Sequence, residues 1–258
     1  LIPLMREVSS RPATLIDLKS IAELSELSLH ADGSAVIGAA LPAIKVTGNQ
    51  ALQRLWPGVV ESIAMMGSRQ IQSRATLGGN ICHGSPAADT VPALIAAGAR
   101  CRICSIQGER MVPVNEVITS PGKTCLRQGE ILVSVHLPPR PPRSADAYLR
   151  ITPRQKMDVA VAGVAINLIL ADDSVVERCT VALGAVAPVA FAVPEVSEIM
   201  TGNVIDEAMV ARLQRAIRQA CRPIDDLRGT AEYRTHVAGV LAVRAFKQTL
   251  QRALERKP

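Results

Sequence analysis

A cluster of prolines near the middle of the 258-residue chain most constrains how it can fold. Proline has no backbone N–H and restricts the residue before it, so neither a helix interior nor a central strand can run through such a stretch. A proline-rich connection is also stiff and extended. We therefore place a domain boundary here, between residues 1–140 and residues 141–258. The prolines that mark it are Pro138, Pro139, Pro141 and Pro142.

Hydrophobic periodicity predicts short elements before this boundary. The predicted strands cover residues 13–17, 34–40, 100–106 and 131–137, and the predicted helices cover residues 59–66 and 89–97. The second helix has Pro92 in its first turn and Gly98 after its end, which are ordinary positions for these residues. Residues 68–86 are polar and rich in glycine, and they show no helical period. That stretch is therefore predicted to be non-helical.

The second half of the chain shows longer and clearer patterns. Residues 159–170 and 175–186 are two runs rich in β-branched residues, joined by Asp172-Asp173-Ser174, which predicts an antiparallel hairpin. Apolar residues recur at helical spacing over 205–221 and over 230–254, which predicts two amphipathic helices. The predicted fold class is therefore α+β, with helices at the end of the chain.

Composition argues against two broad functions. Aromatic residues make up only 2% of the chain, and no basic stripe interleaved with aromatics is visible, which disfavours nucleic-acid binding. No apolar run reaches the roughly 20 residues that a membrane helix needs. The net charge of +6 is mild and scattered. A solvated surface explains it, and so does an anionic cofactor or partner.

The six cysteines show neither a signal peptide before them nor the regular spacing of a disulfide framework, which predicts a reducing cytoplasm. Cys101 and Cys104 form a CxxC, but they fall in a predicted strand, where positions three apart face opposite sides. Buried thiols are therefore favoured over a metal site. The four histidines are scattered without ligand spacing, so no metal is expected.

The segment from Arg74 to Asp89 carries the chemistry that can be inferred from the residues. Adjacent glycines at Gly78 and Gly79 allow close backbone approach to an anion, and Thr76 and Asn80 add side-chain donors. A helix that begins near Asp89 would favour negative charge nearby. This pattern matches a diphosphate cradle without matching the GxGxxG fingerprint or the P-loop. An ordinary turn is the alternative for a glycine pair.

This segment also resembles a known family. Thr76-Leu77-Gly78-Gly79-Asn80, followed by Ser85-Pro86-Ala87-Ala88-Asp89, is similar to the second FAD-binding segment of the flavoproteins of xanthine dehydrogenase and carbon monoxide dehydrogenase. Gly67–Ile71 looks like the approach to that segment, and Leu183–Pro188 and Asp226–Arg234 look like the C-terminal domain of these medium subunits. The resemblance implies an FAD-binding α/β domain over residues 1–140 and a C-terminal flavoprotein domain over 141–258, with an antiparallel sheet and helices.

The resemblance also implies roles for individual residues. Thr76, Gly78, Gly79 and Asn80 would meet the FAD diphosphate, and Asp89 would bond the polar part of the cofactor or cap its helix. The backbone of Leu132 would lie near the flavin ring. Arg150 stands where the family often has lysine, and a cation there would stabilise the anionic reduced flavin unless it is merely a surface residue. Met66 would pack either on the adenine or in the core.

The implied function is that of an oxidoreductase subunit in a molybdenum-containing hydroxylase. It would move electrons from iron–sulfur clusters through FAD to an external acceptor, without a catalytic acid or base of its own. Molybdopterin and clusters of the 2Fe–2S type would belong to a large and a small partner subunit, in a dimer of heterotrimers in the cytoplasm. The alternative is a degenerate scaffold subunit of the same complex that has lost FAD.

The family's first FAD loop is expected at the start of the chain. It typically reads Ala-Gly-Gly-Thr-Asp and comes immediately before a segment like Leu1–Met5, with which the given sequence begins. The expectation is therefore an FAD-binding domain shortened at its N-terminus. Such a domain would supply about half of the diphosphate site.

Overall fold

Two antiparallel sheets lie on either side of the proline-rich connection in the computed structural model, which describes residues 14–154, 157–172 and 175–256. The strands are β1 (Leu27–Leu29), β2 (Ala35–Gly38), β3 (Arg100–Ser105), β4 (Gly108–Pro113), β5 (Ile118–Ser120), β6 (Lys123–Thr124), β7 (Ile131–Leu137), β8 (Ser144–Ile151), β9 (Ala162–Leu170), β10 (Val176–Gly184) and β11 (Phe191–Ala192). After a 3-10 turn at Leu18–Ser20, the helices are α1 (Ala22–Ser25), α2 (Ala43–Thr47), α3 (Gln50–Leu55), α4 (Pro57–Ala64), α5 (Arg69–Gln72), α6 (Leu77–His83), α7 (Thr90–Ala96), α8 (Val114–Val117), α9 (Pro194–Met200), α10 (Glu207–Ala220) and α11 (Ala231–Glu255).

The N-terminal half is built on a five-stranded sheet with the order β1-β2-β7-β3-β4. Beside it, β5 and β6 form a small separate hairpin. Helix α7 is buried at every one of its seven positions, because it lies between α4 and α6 on one side and strands β9 and β10 on the other. Apart from Thr90 its residues are apolar, and a helix that is apolar on every side belongs in the interior. It therefore joins the cores of the two halves.

The C-terminal half is a four-stranded sheet with the order β11-β10-β9-β8, covered by α9 and α11, and α10 packs against these two helices. The long helix α11 buries Val237, Leu241 and Phe246 among other residues on the face that packs against β8 and β9. Such an apolar stripe at helical spacing is what holds an amphipathic helix on a sheet. The predicted hairpin is confirmed, since β9 and β10 pair in antiparallel register.

Strand β8 is the element that ties the halves together. Side chains two residues apart on a strand share a face, and Asp146, Tyr148 and Arg150 all reach from β8 into the N-terminal half. The N–H of Val59 in α4 donates to Oδ2 of Asp146 at 2.9 Å, and Arg140 donates to Oδ1 of the same carboxylate at 3.0 Å. The polar row of β8 is thus buried between the two halves.

The motif that begins at Leu183 forms a second connection. A Cβ on Gly184 would lie 2.7 Å from Cγ of Pro92 in α7, so only glycine allows this close approach. The N–H of Ala185 donates to the carbonyl of Pro86 at 2.8 Å, and the carbonyl of Ala185 accepts from Arg234 at 3.2 Å. The motif Leu183–Pro188 thus holds the segment that leads into α7. Arg234, from the motif Asp226–Arg234, holds Ala185 in turn.

Several predictions about local structure are confirmed. Strand β7 covers the predicted residues, α4 and α7 lie where helices were expected, and α10 and α11 end the chain. Cys101 and Cys104 lie on opposite faces of β3, as the spacing required, but only Cys101 is buried as expected, since Cys104 is half-buried. The mixed fold with a C-terminal antiparallel sheet and helices is also as expected.

Two predictions were wrong. Residues 14–17 form no strand, while Ala13, the first residue of that prediction, and the segment Leu1–Met5 lie outside the described residues. The stretch 68–86 contains helices α5 and α6 and is not wholly irregular. These helices have four and seven residues, too few to show a hydrophobic period, and each begins at a side chain that caps its first turn, Ser68 and Thr76.

None of the helices found in residues 14–154, 157–172 and 175–256 is long and apolar enough to cross a membrane.

Candidate functional site

The glycine pair lies in the first turn of α6, where its two members have different surroundings. Gly78 is buried, its N–H donates to the carbonyl of Ala39 at 3.0 Å, and a Cβ there would come within 2.7 Å of the side chain of Ala39. Gly79 is exposed, and a Cβ there would meet only Oγ1 of Thr76, at 3.0 Å. Gly78 is therefore required for packing, whereas Gly79 leaves an open backbone surface.

Thr76 and Asn80 stand on either side of that open surface. Oγ1 of Thr76 accepts the N–H of Gly79 at 3.0 Å, which caps α6 and leaves the hydroxyl hydrogen as a donor. Oδ1 of Asn80 accepts the hydroxyl of Thr90 at 2.6 Å, which orients the NH2 group of Asn80 as the donating end of its amide. The backbone N–H groups of Gly78 and Gly79 are both used within the protein, so the side chains are the donors that this turn presents.

Asp89 and Arg150 form a buried ion pair, although 61 residues separate them. Nη1 of Arg150 donates to Oδ2 of Asp89 at 2.5 Å, and the two side chains are 7% and 11% exposed. The surface-residue alternative for Arg150 is therefore wrong. The helix-cap alternative for Asp89 is also wrong, because its side chain makes no hydrogen bond to the first turn of α7.

Tyr148 completes this cluster and was not identified from the sequence. Its hydroxyl donates to Oδ1 of Asp89 at 2.9 Å, so the two carboxylate oxygens have different partners. Burial raises the pKa of Asp89, while the charge of Arg150 and the hydrogen bonds from Arg150 and Tyr148 act in the opposite direction. The available signal was the alternation of polar and apolar residues over Ser144–Ile151, which is typical of a strand.

A cavity of about 800 Å³ opens next to Arg150. One wall is the end of β8 and the residues after it, and the other is the end of α4 with the segment that includes Gly67 and Gln70. This size lies within the range typical of small-molecule pockets. Residues of the segment Gly67–Ile71 and Arg150 thus line the same space.

Leu132 lies close to the glycine turn through the backbone, while its own side chain belongs to the core at 5% exposure. The carbonyl of its neighbour Val133 accepts the N–H of Ala39 at 2.9 Å, and the carbonyl of Ala39 accepts the N–H of Gly78. Strand β7 therefore connects to α6 through a single residue. Met66 is 7% exposed and packs within the same core, so the core-packing alternative holds for it.

The residues present fit an anionic dinucleotide. The first turn of α6 offers a hydroxyl, an amide and a glycine surface, which are the groups that contact a diphosphate without adding negative charge. Arg150 supplies a fixed positive charge beside a cavity. Together, the glycine turn and the Asp89–Arg150 pair fit a protein that binds a dinucleotide cofactor between its two halves.

Comparison with known proteins gives the family. The model of the FAD-binding domain in molybdopterin dehydrogenase matches residues 1–140, and the model of the CO dehydrogenase flavoprotein C-terminal domain matches residues 147–249. The chain belongs to this family of molybdenum hydroxylase flavoproteins, and it is an oxidoreductase subunit of the FAD-binding, medium-chain type. The resemblance stated from the sequence motifs is thereby confirmed.

Individual relatives agree along nearly the whole chain. The putative xanthine dehydrogenase FAD-binding subunit of Escherichia coli is 28% identical over 240 residues, which are 93% of this chain and 82% of that protein. The carbon monoxide dehydrogenase medium chain of Afipia carboxidovorans is 28% identical, over 98% of this chain and 87% of its own length. A solved structure of carbon monoxide dehydrogenase from Hydrogenophaga pseudoflava superposes with a TM-score of 0.91 at 27% identity, covering 97% of this chain and 86% of that one.

Proposed function

We propose that this chain carries FAD in a multi-subunit molybdenum hydroxylase and moves electrons from iron–sulfur clusters to an external acceptor. The observation that carries the proposal is the buried Asp89–Arg150 pair beside a cavity, at the junction of the two halves that the family models match. Bound FAD would supply the redox chemistry. The chain's own residues would bind the cofactor, orient it and set the charge around it.

In this proposal the first turn of α6 holds the diphosphate. Thr76 and Asn80 would donate from their side chains, and Gly79 would allow the phosphates to approach because no side chain covers it. Gly78 would contribute indirectly, by seating the turn against Ala39. This division of roles between the two glycines refines the prediction made from the sequence.

Asp89, Arg150 and Leu132 would act at the redox-active end. Arg150 would place a positive charge where negative charge accumulates on reduction, and Asp89 would fix the position of that charge. A backbone group at Leu132 would complete the contact from β7. No proton transfer is required of these residues, so the chain needs no general acid or base.

The proposed partners are an iron–sulfur small subunit and a molybdopterin large subunit, in a dimer of heterotrimers. The proposal is supported by the relatives, which are described as a subunit and as a medium chain of dehydrogenases. Electron transfer through a medium chain needs a donor and an acceptor on either side of it.

The test of FAD binding uses Gly79→Val in the full chain, titrated with FAD and followed by flavin absorbance. Valine is no worse a helix former than glycine, and its Cβ would meet only Oγ1 of Thr76, so this exposed substitution should leave the fold intact. The added side chain would block the approach of the diphosphate and crowd the hydroxyl of Thr76. We expect at least a tenfold loss of FAD affinity, on the order of one lost charge-assisted hydrogen bond.

Gly78→Ala is the matched control for a loss of structure. Its Cβ would clash with Ala39, which should lower the melting temperature. Wild-type affinity for FAD in the Gly79→Val chain would show that the diphosphate does not lie on this turn. A wild-type chain that binds no FAD at all would support the degenerate scaffold instead.

A further inference from the structure

Tyr148 is a buried tyrosine whose hydroxyl lies at the candidate site. The chain has one Trp, two Tyr and two Phe, so a buried aromatic ring is a rare feature of this protein. Tyr148 is 1% exposed, and its hydroxyl donates to Oδ1 of Asp89 in the other half of the molecule. The ring packs with the core of the N-terminal half, although its backbone belongs to the C-terminal sheet.

The neighbouring strand leaves room for this hydroxyl. Gly163 in β9 pairs with Arg150, and a Cβ on Gly163 would lie only 2.7 Å from the hydroxyl oxygen of Tyr148. Any side chain at Gly163 would therefore displace the phenol from its hydrogen bond. The absence of a side chain at this strand position is explained by the space that Tyr148 requires.

Tyr148 and Arg150 hold the same carboxylate from one strand. They are two residues apart on β8, and they donate to different oxygens of Asp89, at 2.9 Å and 2.5 Å. A carboxylate that is fixed at both oxygens cannot rotate, so the guanidinium of Arg150, a residue that lines the cavity, is held in place as well. Burial, with the adjacent carboxylate as a second cause, raises the pKa of Tyr148 well above its ordinary value. The phenol therefore stays protonated and acts as a donor.

We propose that Tyr148 is a positioning residue of the electron-transfer site, acting on the cofactor through Asp89 and Arg150. By withdrawing negative charge from Oδ1, the phenol leaves more of the positive charge of Arg150 available to the reduced cofactor. This inference rests on the proposed function of the chain in FAD binding. It assigns to Tyr148 an effect on redox potential, not on the retention of FAD.

The test is Tyr148→Phe in the full chain, purified with the subunits that accompany it and loaded with FAD. We expect FAD content and substrate KM to stay near wild type. The flavin midpoint potential should fall. The equilibrium between oxidised and reduced forms should shift about tenfold toward the oxidised form, as expected for one hydrogen bond to a charged group. Tyr233→Phe removes the other tyrosine of the chain, which is 44% exposed, and should leave the potential unchanged.

A second variant keeps the phenol and changes its strength. Fluorotyrosine incorporated into the Tyr233→Phe chain places a stronger hydrogen-bond donor at position 148 alone, and the potential should then rise. Opposite shifts in the two chains would establish the role of Tyr148. An unchanged potential in the fluorotyrosine chain would overturn it, even if Tyr148→Phe does not fold. Failure of the wild-type chain to bind FAD would contradict the proposed function, a distinct outcome.

Discussion

Two buried arginine–aspartate pairs lie at the polar face of β8, and comparing them distinguishes a purely structural contact from a candidate ligand-binding site. Arg140 and Asp146 form the first pair, at 3.0 Å with side chains 2% and 4% exposed. Asp89 and Arg150 form the second, at 2.5 Å. Both pairs connect the same two halves of the molecule with the same chemical groups. What differs is the environment of each arginine.

Arg140 is enclosed by protein. Its guanidinium donates to Asp146 and to Oδ1 of Asn167, and it lies 4.1 Å from the centre of the Trp56 ring. Burial lowers the pKa of Arg140 to about 10, the charge of Asp146 acting against that shift. Arg150, in contrast, donates to Asp89 and is one of the residues that line a cavity of about 800 Å³. An arginine can serve a site when its charge lies beside space that a ligand can fill.

The largest expected effect is on the Arg140–Asp146 pair, which we call the closed pair because protein encloses it. Asp146→Ala leaves the cation of Arg140 buried without its partner and removes the acceptor for the N–H of Val59. We expect the free energy of unfolding to fall by about 3–5 kcal/mol, measured by denaturant titration. Glu23→Ala, which removes an exposed partner of Arg102, should produce no measurable change. A loss below 1 kcal/mol in Asp146→Ala would mean that the closed pair does not join the halves.

The Asp89–Arg150 pair lies beside the cavity, and we call it the open pair. Breaking it should affect FAD binding more than stability. Arg150→Met leaves Asp89 with its hydrogen bond from Tyr148 and with the option of taking up a proton, so we expect a smaller loss of about 1–3 kcal/mol. FAD affinity, measured by fluorescence quenching, should nevertheless drop at least tenfold, because the positive charge beside the cavity is gone. Arg140→Met is the matched control. It should cost more stability, while the molecules that remain folded bind FAD normally.

If Arg140→Met and Arg150→Met weaken FAD binding equally, the two pairs do not differ in role. Both pairs would then be structural contacts that differ only in how much they contribute to the free energy of unfolding.

The sequence predicted the elements whose pattern is long enough to read. The hairpin of β9 and β10 and the helices α10 and α11 follow from periodicity over nine residues or more. Helix α6 could not be recognised, because its start depends on a cap at Thr76 and on the contact of Gly78 with Ala39, which lies far away in sequence. Short elements are decided by tertiary contacts.

Strand β8 shows why part of the site was missed. Its residues alternate between polar and apolar types, which is a readable strand pattern. A polar row normally faces water, yet here Asp146, Tyr148 and Arg150 face the other half of the protein. The family resemblance named Asp89 and Arg150 as separate candidate site residues. That they touch each other, and that Tyr148 joins them, depends on how the two halves pack.

The smallest expected effect is a pH dependence of stability that belongs to the open pair. Burial raises the pKa of Asp89 above the ordinary value of about 4, so between these two values the folded chain binds more protons than the unfolded chain. Stability from this group is therefore fully present below the ordinary value and declines as the pH rises through the raised one. The slope cannot exceed about 1.4 kcal/mol per pH unit, since one proton is involved.

Asp89→Asn removes that proton while keeping the shape of the side chain. We expect the free energy of unfolding of this variant to decline less steeply above pH 4 than that of wild type, as measured by urea titrations at several pH values. Arg150→Met should make the decline extend to higher pH, because the charge that counteracts burial is removed. Identical pH profiles for wild type and Asp89→Asn would mean that the carboxylate is ionised as easily in the folded chain as in water. In that case the open pair would owe its position to hydrogen bonds alone, and its difference from the Arg140–Asp146 pair would lie in access to the cavity.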